Sequence, residues 1–145
     1  MNIRNTRKGF TLIELLMVVA IIIILATIVI ISVREATDRS KNAKIITSTV
    51  QARKISEDMY LQESDGYTQL CSAGTMNDTY SVQLQAIRAD IQNYSGANPV
   101  CYSSSTSYCI TSTLMNTEDY FCIDDEGNNE RLDSNPCADA NSTCR

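Results

Sequence analysis

The chain contains no histidine and no tryptophan, only two prolines and five glycines, and no Cys-x-x-Cys pair among its six cysteines. Each absence excludes something. Without histidine there is no imidazole to serve as a general base near neutral pH or to ligate zinc, and no nucleophile–base constellation can be assembled, so the chain does not read as an enzyme. Without Cys-x-x-Cys the usual zinc-binding and dithiol redox patterns are missing. Residues 34–63 hold neither Gly nor Pro, so nothing there stops a helix. From Leu15 to Ile31 the sequence LLMVVAIIIILATIVII carries no charge, and Thr27 is its only polar residue. That run is too long for the apolar core of an ordinary secretory signal peptide, about 7–15 residues, and no small-residue cleavage site follows it.

What is present is arranged unevenly. The 145 residues leave room for one small domain beside one membrane segment. Taken as helix, Phe10 to Val33 extends about 36 Å against a hydrocarbon core of about 30 Å, enough for one crossing. Arg4, Arg7 and Lys8 precede it with no acid among them, so the positive-inside rule keeps the N-terminus cytoplasmic and exports everything after Val33. One carboxylate, Glu14, stands at the mouth of the run. A lone acid there is costly and calls for a partner cation.

Beyond the apolar run the helical pattern continues. Ile45, Thr49, Ala52, Ile55 and Met59 fall at 3–4 spacing with Ile46 and Val50 at the edge, an amphipathic face. Glu63-Ser64-Asp65-Gly66 is the stop, with Gly66 suited to a left-handed position. The whole helix is predicted over Thr11–Gln62. A second helix is predicted over Ser81–Tyr94, with Leu84, Ile87, Ile91 and Tyr94 on one side and Gly96 just beyond. Residues 108–113 and 120–123 read as strands. Paired as a hairpin centred between Met115 and Asn116, they set Ile110 against Phe121 and Tyr108 against Ile123 on one apolar face, with Cys109 opposite Cys122 on the other. The polar chain from Asp124 onward is expected to be ordered mainly through Cys137 and Cys144.

All six cysteines lie on the exported side, in the last 75 residues, where they read as a disulfide framework standing in for a larger core. Six cysteines allow fifteen pairings. The hairpin favours Cys109–Cys122; Cys137–Cys144 closes the tail, and Cys71–Cys101 follows by elimination. Charge divides the chain again: residues 34–54 carry six basic and two acidic residues, residues 55–145 three basic and fourteen acidic. The basic stem suits either acidic heads of neighbouring subunits or anionic phospholipid head groups, and the acidic head speaks against direct binding of nucleic acid. Asp124, Asp125 and Glu130 sit in an acidic run, but they lack the alternating spacing of a calcium loop and read as a solvated turn, so no cofactor or metal is expected. Asn77, Asn93 and Asn141 begin short glycosylation sequons, a weak signal.

Lys8-Gly9-Phe10-Thr11-Leu12-Ile13-Glu14 gathers a basic leader, a glycine, a phenylalanine and an acid five residues into the chain that a cut after Gly9 would leave. This stretch resembles the cleavage and assembly signal of type IV prepilins and of type II secretion pseudopilins; the likeness is good over residues 1 to about 65 and loose beyond. It implies an α+β, type IV pilin-like fold: leader 1–9, membrane and filament-core helix 10–33, amphipathic half of the stem 34–65, and a disulfide-braced antiparallel head 66–145. It further implies cleavage between Gly9 and Phe10 by a prepilin peptidase, N-methylation of the Phe10 amine, and pairing of that amine with Glu14 of a neighbouring subunit. The partners it implies are copies of the chain in a helical filament, an inner-membrane assembly platform and an ATPase. Before assembly the chain is expected in the inner membrane, afterwards on the cell surface. Two other readings share these residues: a pseudopilin of a secretion or DNA-uptake machine, and a membrane-anchored binding module that never polymerises. Many family members carry Gly and Pro within the apolar helix and unwind there; Ile23 and Ile31 take those places here, so the helix is expected to persist, melting at most near Thr27 and Ser32.

Overall fold

The computed structural model describes residues 9–115 and 118–145. The leader with Arg4, Arg7 and Lys8, and the expected hairpin centre at Asn116, lie outside those residues. The chain divides near Thr37 into two units. One helix, α1 (Leu12–Gln62), contributes to both, starting one residue after the expected Thr11 and ending at the expected Gln62.

In the first unit the apolar residues of α1 are exposed throughout, from Leu12 at 76% to Val33 at 56%. The helix is unbroken, and the hydroxyls of Thr27 and Ser32 donate to the carbonyls of Ile24 (2.8 Å) and Ile28 (3.1 Å). Bonding back to the preceding turn lets a polar side chain sit in an apolar run without an unsatisfied donor.

In the second unit the buried stripe of α1 is Ile45, Ser48, Thr49, Ala52, Ser56 and Met59. Ile55, expected on that stripe, is only half-buried, and Ser48 and Ser56 hold the inner positions. Small hydroxyl residues allow close approach and satisfy themselves locally: Ser56 donates to the Ala52 carbonyl (2.8 Å), and Thr49 bonds both the Ile45 carbonyl and the Ser112 hydroxyl at 2.8 Å. After α1 the chain turns at Gly66, whose φ is 61°. A Cβ there would lie 1.8 Å from the Ser105 carbonyl oxygen, so both the backbone and the packing require glycine.

A short hairpin, β1 (Cys71–Ser72) and β2 (Thr75–Met76), leads into α2 (Val82–Ser95). Ser81 caps α2 by accepting from the Leu84 N–H (3.1 Å), and Gly96 ends it in the left-handed region with its N–H on the Gln92 carbonyl. Leu84, Ile87 and Ile91 are its buried residues, as the 3–4 spacing predicts. Four antiparallel strands follow in chain order: β3 (Val100–Ser103), β4 (Tyr108–Thr113), β5 (Tyr120–Asp124) and β6 (Asn129–Leu132). The outer two were not foreseen. β6 is a polar edge strand, and β3 is short and follows a proline.

The hairpin register differs from expectation by two residues: Ile110 pairs with Ile123, Thr111 with Cys122, and Cys109 with Asp124. A slip of two keeps every side chain on its own face, so the apolar pattern does not distinguish the two registers. The inner face carries Cys101, Tyr108, Ile110, Phe121 and Ile123 against α1 and α2; the outer face carries Cys109 and Cys122 beneath the C-terminal segment with Cys137 and Cys144. Two side chains of α1 hold the sheet's ends. Asn42 bonds the Met115 N–H (2.7 Å) and carbonyl (3.2 Å), and Arg53 donates to the carbonyls of Gly127 (3.0 Å) and Asn128.

The expected Cys109–Cys122 and Cys137–Cys144 disulfides are not formed. Cys109 bonds Cys137, Cys122 bonds Cys144, and Cys71 bonds Cys101. With Cys109 opposite Asp124, the two sheet cysteines are diagonal neighbours, and each reaches outward to the tail. Asp124 completes the attachment, fully buried, accepting from the backbone N–H of Asn128 and of Cys144 at 2.9 Å each. The tail is therefore stapled at two strands and hydrogen-bonded between them.

Tyr108, 1% exposed, meets Tyr67 edge-on at 4.9 Å between ring centres, and Tyr67 stacks on Tyr60 at 4.8 Å. Burial pushes the Tyr108 phenol up to about 12, partly offset by the Arg53 guanidinium. An unfolded tyrosine titrates near 10. A raised folded value means that the stabilisation from the neutral phenol is complete below about pH 10 and is lost as pH rises toward 12. Unfolding of the full chain in detergent is expected to lose about 2–3 kcal/mol over that interval, and Tyr108→Phe to flatten this part of the curve. Identical alkaline limbs for the two proteins would refute the assignment.

Candidate assembly site

The residues singled out at the N-terminus lie together at the start of α1. Gly9 and Phe10 precede the helix in non-helical, exposed chain, with Phe10 83% exposed. A peptide bond ahead of the first helical turn is free to enter a protease cleft extended, and glycine before it presents no Cβ.

Thr11 is the residue that sequence reasoning missed. Its hydroxyl donates to the Glu14 Oε2 (2.8 Å) and accepts from the Glu14 N–H (3.3 Å), while its own N–H donates to the same Oε2 (2.9 Å). The Thr11 carbonyl accepts from the Leu15 N–H (3.3 Å). This is a capping box, in which the first and fourth residues reciprocally satisfy donors that the first turn leaves open. The signal was visible: Thr-x-x-Glu directly before an apolar run is its sequence signature. The Glu14 carboxylate is not stranded, because the chain supplies two donors, and the negative charge also suits the positive end of the helix dipole. Both of these donors meet the same carboxylate oxygen, Oε2. Among the described residues no cation pairs with Glu14.

The other candidate residues are not gathered into a site. The Asp124 carboxylate is taken up inside the head, Asp125 Oδ1 accepts from the Tyr108 N–H (3.2 Å), and Glu130 lies exposed on β6. Among the described residues the one cluster with metal-ligand spacing is Cys109, Cys122 and Cys137. All three are disulfide-bonded, and a disulfide sulfur carries no thiolate charge for a metal. α1 is long and apolar enough to cross a membrane, with mean hydropathy 3.3 over its best stretch.

The family described as the prokaryotic N-terminal methylation motif matches residues 4–30. A relative, the type IV wide pilus major component PilA4 of Thermus thermophilus, is 34% identical over 91 residues, covering 60% of this chain and 69% of the relative. No solved structure matches. The matched motif takes in Gly9, Phe10, Thr11 and Glu14 together.

Thr11→Val removes the hydroxyl at nearly constant volume. In the full chain in detergent micelles, amide exchange at Glu14 is expected to accelerate on the order of fivefold, the equivalent of about 1 kcal/mol for a lost cap, whereas Thr11→Ser stays near wild type. Equal exchange in all three proteins would show that the cap contributes nothing.

Proposed function

This chain belongs to the type IV pilin family, and on that premise we propose that it is a structural subunit of a surface filament, cut after Gly9 and polymerised through its N-terminal helix. The observation that carries the reading is the capped Glu14 at the mouth of an apolar helix exposed along its length. Cutting between Gly9 and Phe10 creates an α-amine one residue before Thr11. N-methylation leaves that amine basic, so it remains a cation able to pair with Glu14. Two opposite charges about 4 Å apart gain on the order of 4 kcal/mol at an effective dielectric of 20. In an apolar bundle the same pair sets register, because a subunit docked out of place buries two unpaired charges.

The membrane comes first and the filament second. Before assembly the helix lies in the inner membrane with its N-terminus cytoplasmic, and the head is exported. Assembly then exchanges lipid for other copies of the helix, so the apolar surface never meets water; its exposure would cost about 0.8 kcal/mol per methylene. A peptidase, a membrane platform and an ATPase are the partners such a route requires. PilA4's role as a wide pilus major component supports a long surface filament over the short piston of a pseudopilin. A non-polymerising anchored module would have no use for the Gly9–Phe10 and Glu14 combination.

Co-expression with a prepilin peptidase, followed by N-terminal sequencing, is expected to give a mature chain starting at Phe10. Glu14→Val is expected to be cut normally yet to yield at least about tenfold fewer sheared filaments, since a charge pair of this strength is lost. An uncut chain, a cut near Ser32–Ala36, or undiminished filaments from Glu14→Val would count against the proposal.

A further inference from the structure

The four cysteines behind the sheet are joined out of chain order. Cys109 bonds Cys137 across 28 residues and Cys122 bonds Cys144 across 22, so the two loops interlock, while Cys71 and Cys101 are consecutive cysteines. The sulfurs of the interlocked pairs are crowded: Cys109 Sγ lies 3.9 Å from Cys122 Sγ, and Cys122 Sγ 4.0 Å from Cys137 Sγ. We propose that a disulfide-bearing oxidant of the export compartment, itself reduced to the dithiol, first closes Cys109–Cys122 and then Cys137–Cys144, and that the head reaches its final pairing by exchange on a dithiol disulfide isomerase, the partner this connectivity calls for.

Three observations lead there. The first rests on the export proposed above: the head enters an oxidising compartment from residue 38 onward, so Cys109 and Cys122 are available to each other before Cys137 arrives. The second is loop length. Cys101, nearer still in sequence, belongs to the inner-face cluster; of the outer-face cysteines, Cys122 is 13 residues from Cys109 and Cys137 is 28, and since closure falls as roughly the three-halves power of length, Cys122 is favoured over Cys137 about threefold. The third is register. In the finished sheet Cys109 faces Asp124 and Thr111 faces Cys122. Sliding β4 against β5 by two residues sets the cysteines directly opposite each other while Tyr108, Ile110, Phe121 and Ile123 keep their apolar face. Hydrophobic burial therefore does little to reject the slipped hairpin, and a Cys109–Cys122 bond would hold it.

The exchange is redox-neutral. The isomerase thiolate attacks Cys109 Sγ of the Cys109–Cys122 bond, forming a mixed disulfide and releasing the Cys122 thiolate. Cys122 then attacks Cys144 Sγ of a Cys137–Cys144 bond, forming Cys122–Cys144 and releasing the Cys137 thiolate. Cys137 attacks Cys109 Sγ of the mixed disulfide, forming Cys109–Cys137 and returning the isomerase thiolate. Two disulfides enter and two leave. Once the tail is seated, Cys109, Cys122 and Cys144 are fully buried and Cys137 is 4% exposed, which closes the sulfurs to further attack.

The test is oxidative refolding of the reduced full chain in detergent and glutathione buffer, quenched by alkylation at intervals, with disulfides mapped by peptide mass spectrometry. The Cys109–Cys122 peptide is expected to dominate early, and a purified dithiol isomerase to speed its conversion to Cys109–Cys137 and Cys122–Cys144 by about tenfold or more. Final pairs that form first, or a conversion rate untouched by the isomerase, would overturn the proposal. Export is judged separately: chain from cells with all six cysteines reduced would remove the topology and leave the refolding result standing.

Discussion

Between Leu15 and Ile31 α1 is apolar on every side and exposed on every side. An amphipathic helix hides one stripe against its own domain, but a helix apolar all round has no such stripe and must be enclosed completely. Either lipid or copies of itself satisfy that demand, and both do so only if the polar features at its start are neutralised. Thr11 and Glu14 neutralise part: they close the first turn and hold the carboxylate in one place. They add no positive charge. The need for a cation and the need for an apolar surrounding are therefore located within four residues of each other, and packing helices around a shared axis meets both.

The head obeys a different constraint. It is a thin layer, four short strands with α1 and α2 on one face, and its outer face has too few apolar residues to bury itself. Cys109 and Cys122 supply the anchor points instead, and the tail, through Cys137, Cys144 and the Asp124 hydrogen bonds, acts as a second layer. The second half of α1 serves the head as a structural element. Asn42 fixes one end of the sheet, Arg53 the turn between β5 and β6, and Thr49 its middle. Arg53, one of the basic residues of the stem, is thus engaged inside its own domain.

How much of this was legible depended on the kind of signal. The long helix, its end at Gln62, the Gly66 turn and α2 with Gly96 just beyond it follow from local rules, which act within a turn or two; Ser81, expected as the first residue of α2, is instead its cap. The pair Gly9–Phe10 and the acid Glu14 were legible as a motif, but Thr11 was not, although Thr-x-x-Glu was in view, because the carboxylate was read only as seeking an outside partner. Strand register failed for a physical reason: side chains alternate with period two, so a slip of two changes no face. The disulfide error followed directly from that slip. β3 and β6 were missed because short or edge strands carry little apolar alternation, and Ile55 lost its place to Ser56 because close packing rewarded small size over hydrophobicity.

The central claim is that Glu14, held on one side by its own Thr11, receives the Phe10 amine of a neighbouring subunit in the filament. Electron cryo-microscopy of sheared filaments tests it most directly by locating both groups. The account expects the Phe10 nitrogen of one subunit within about 4 Å of the Glu14 carboxylate of another, with the Thr11 contacts kept. Filaments in which Glu14 meets only Thr11 and every Phe10 amine lies elsewhere would contradict it.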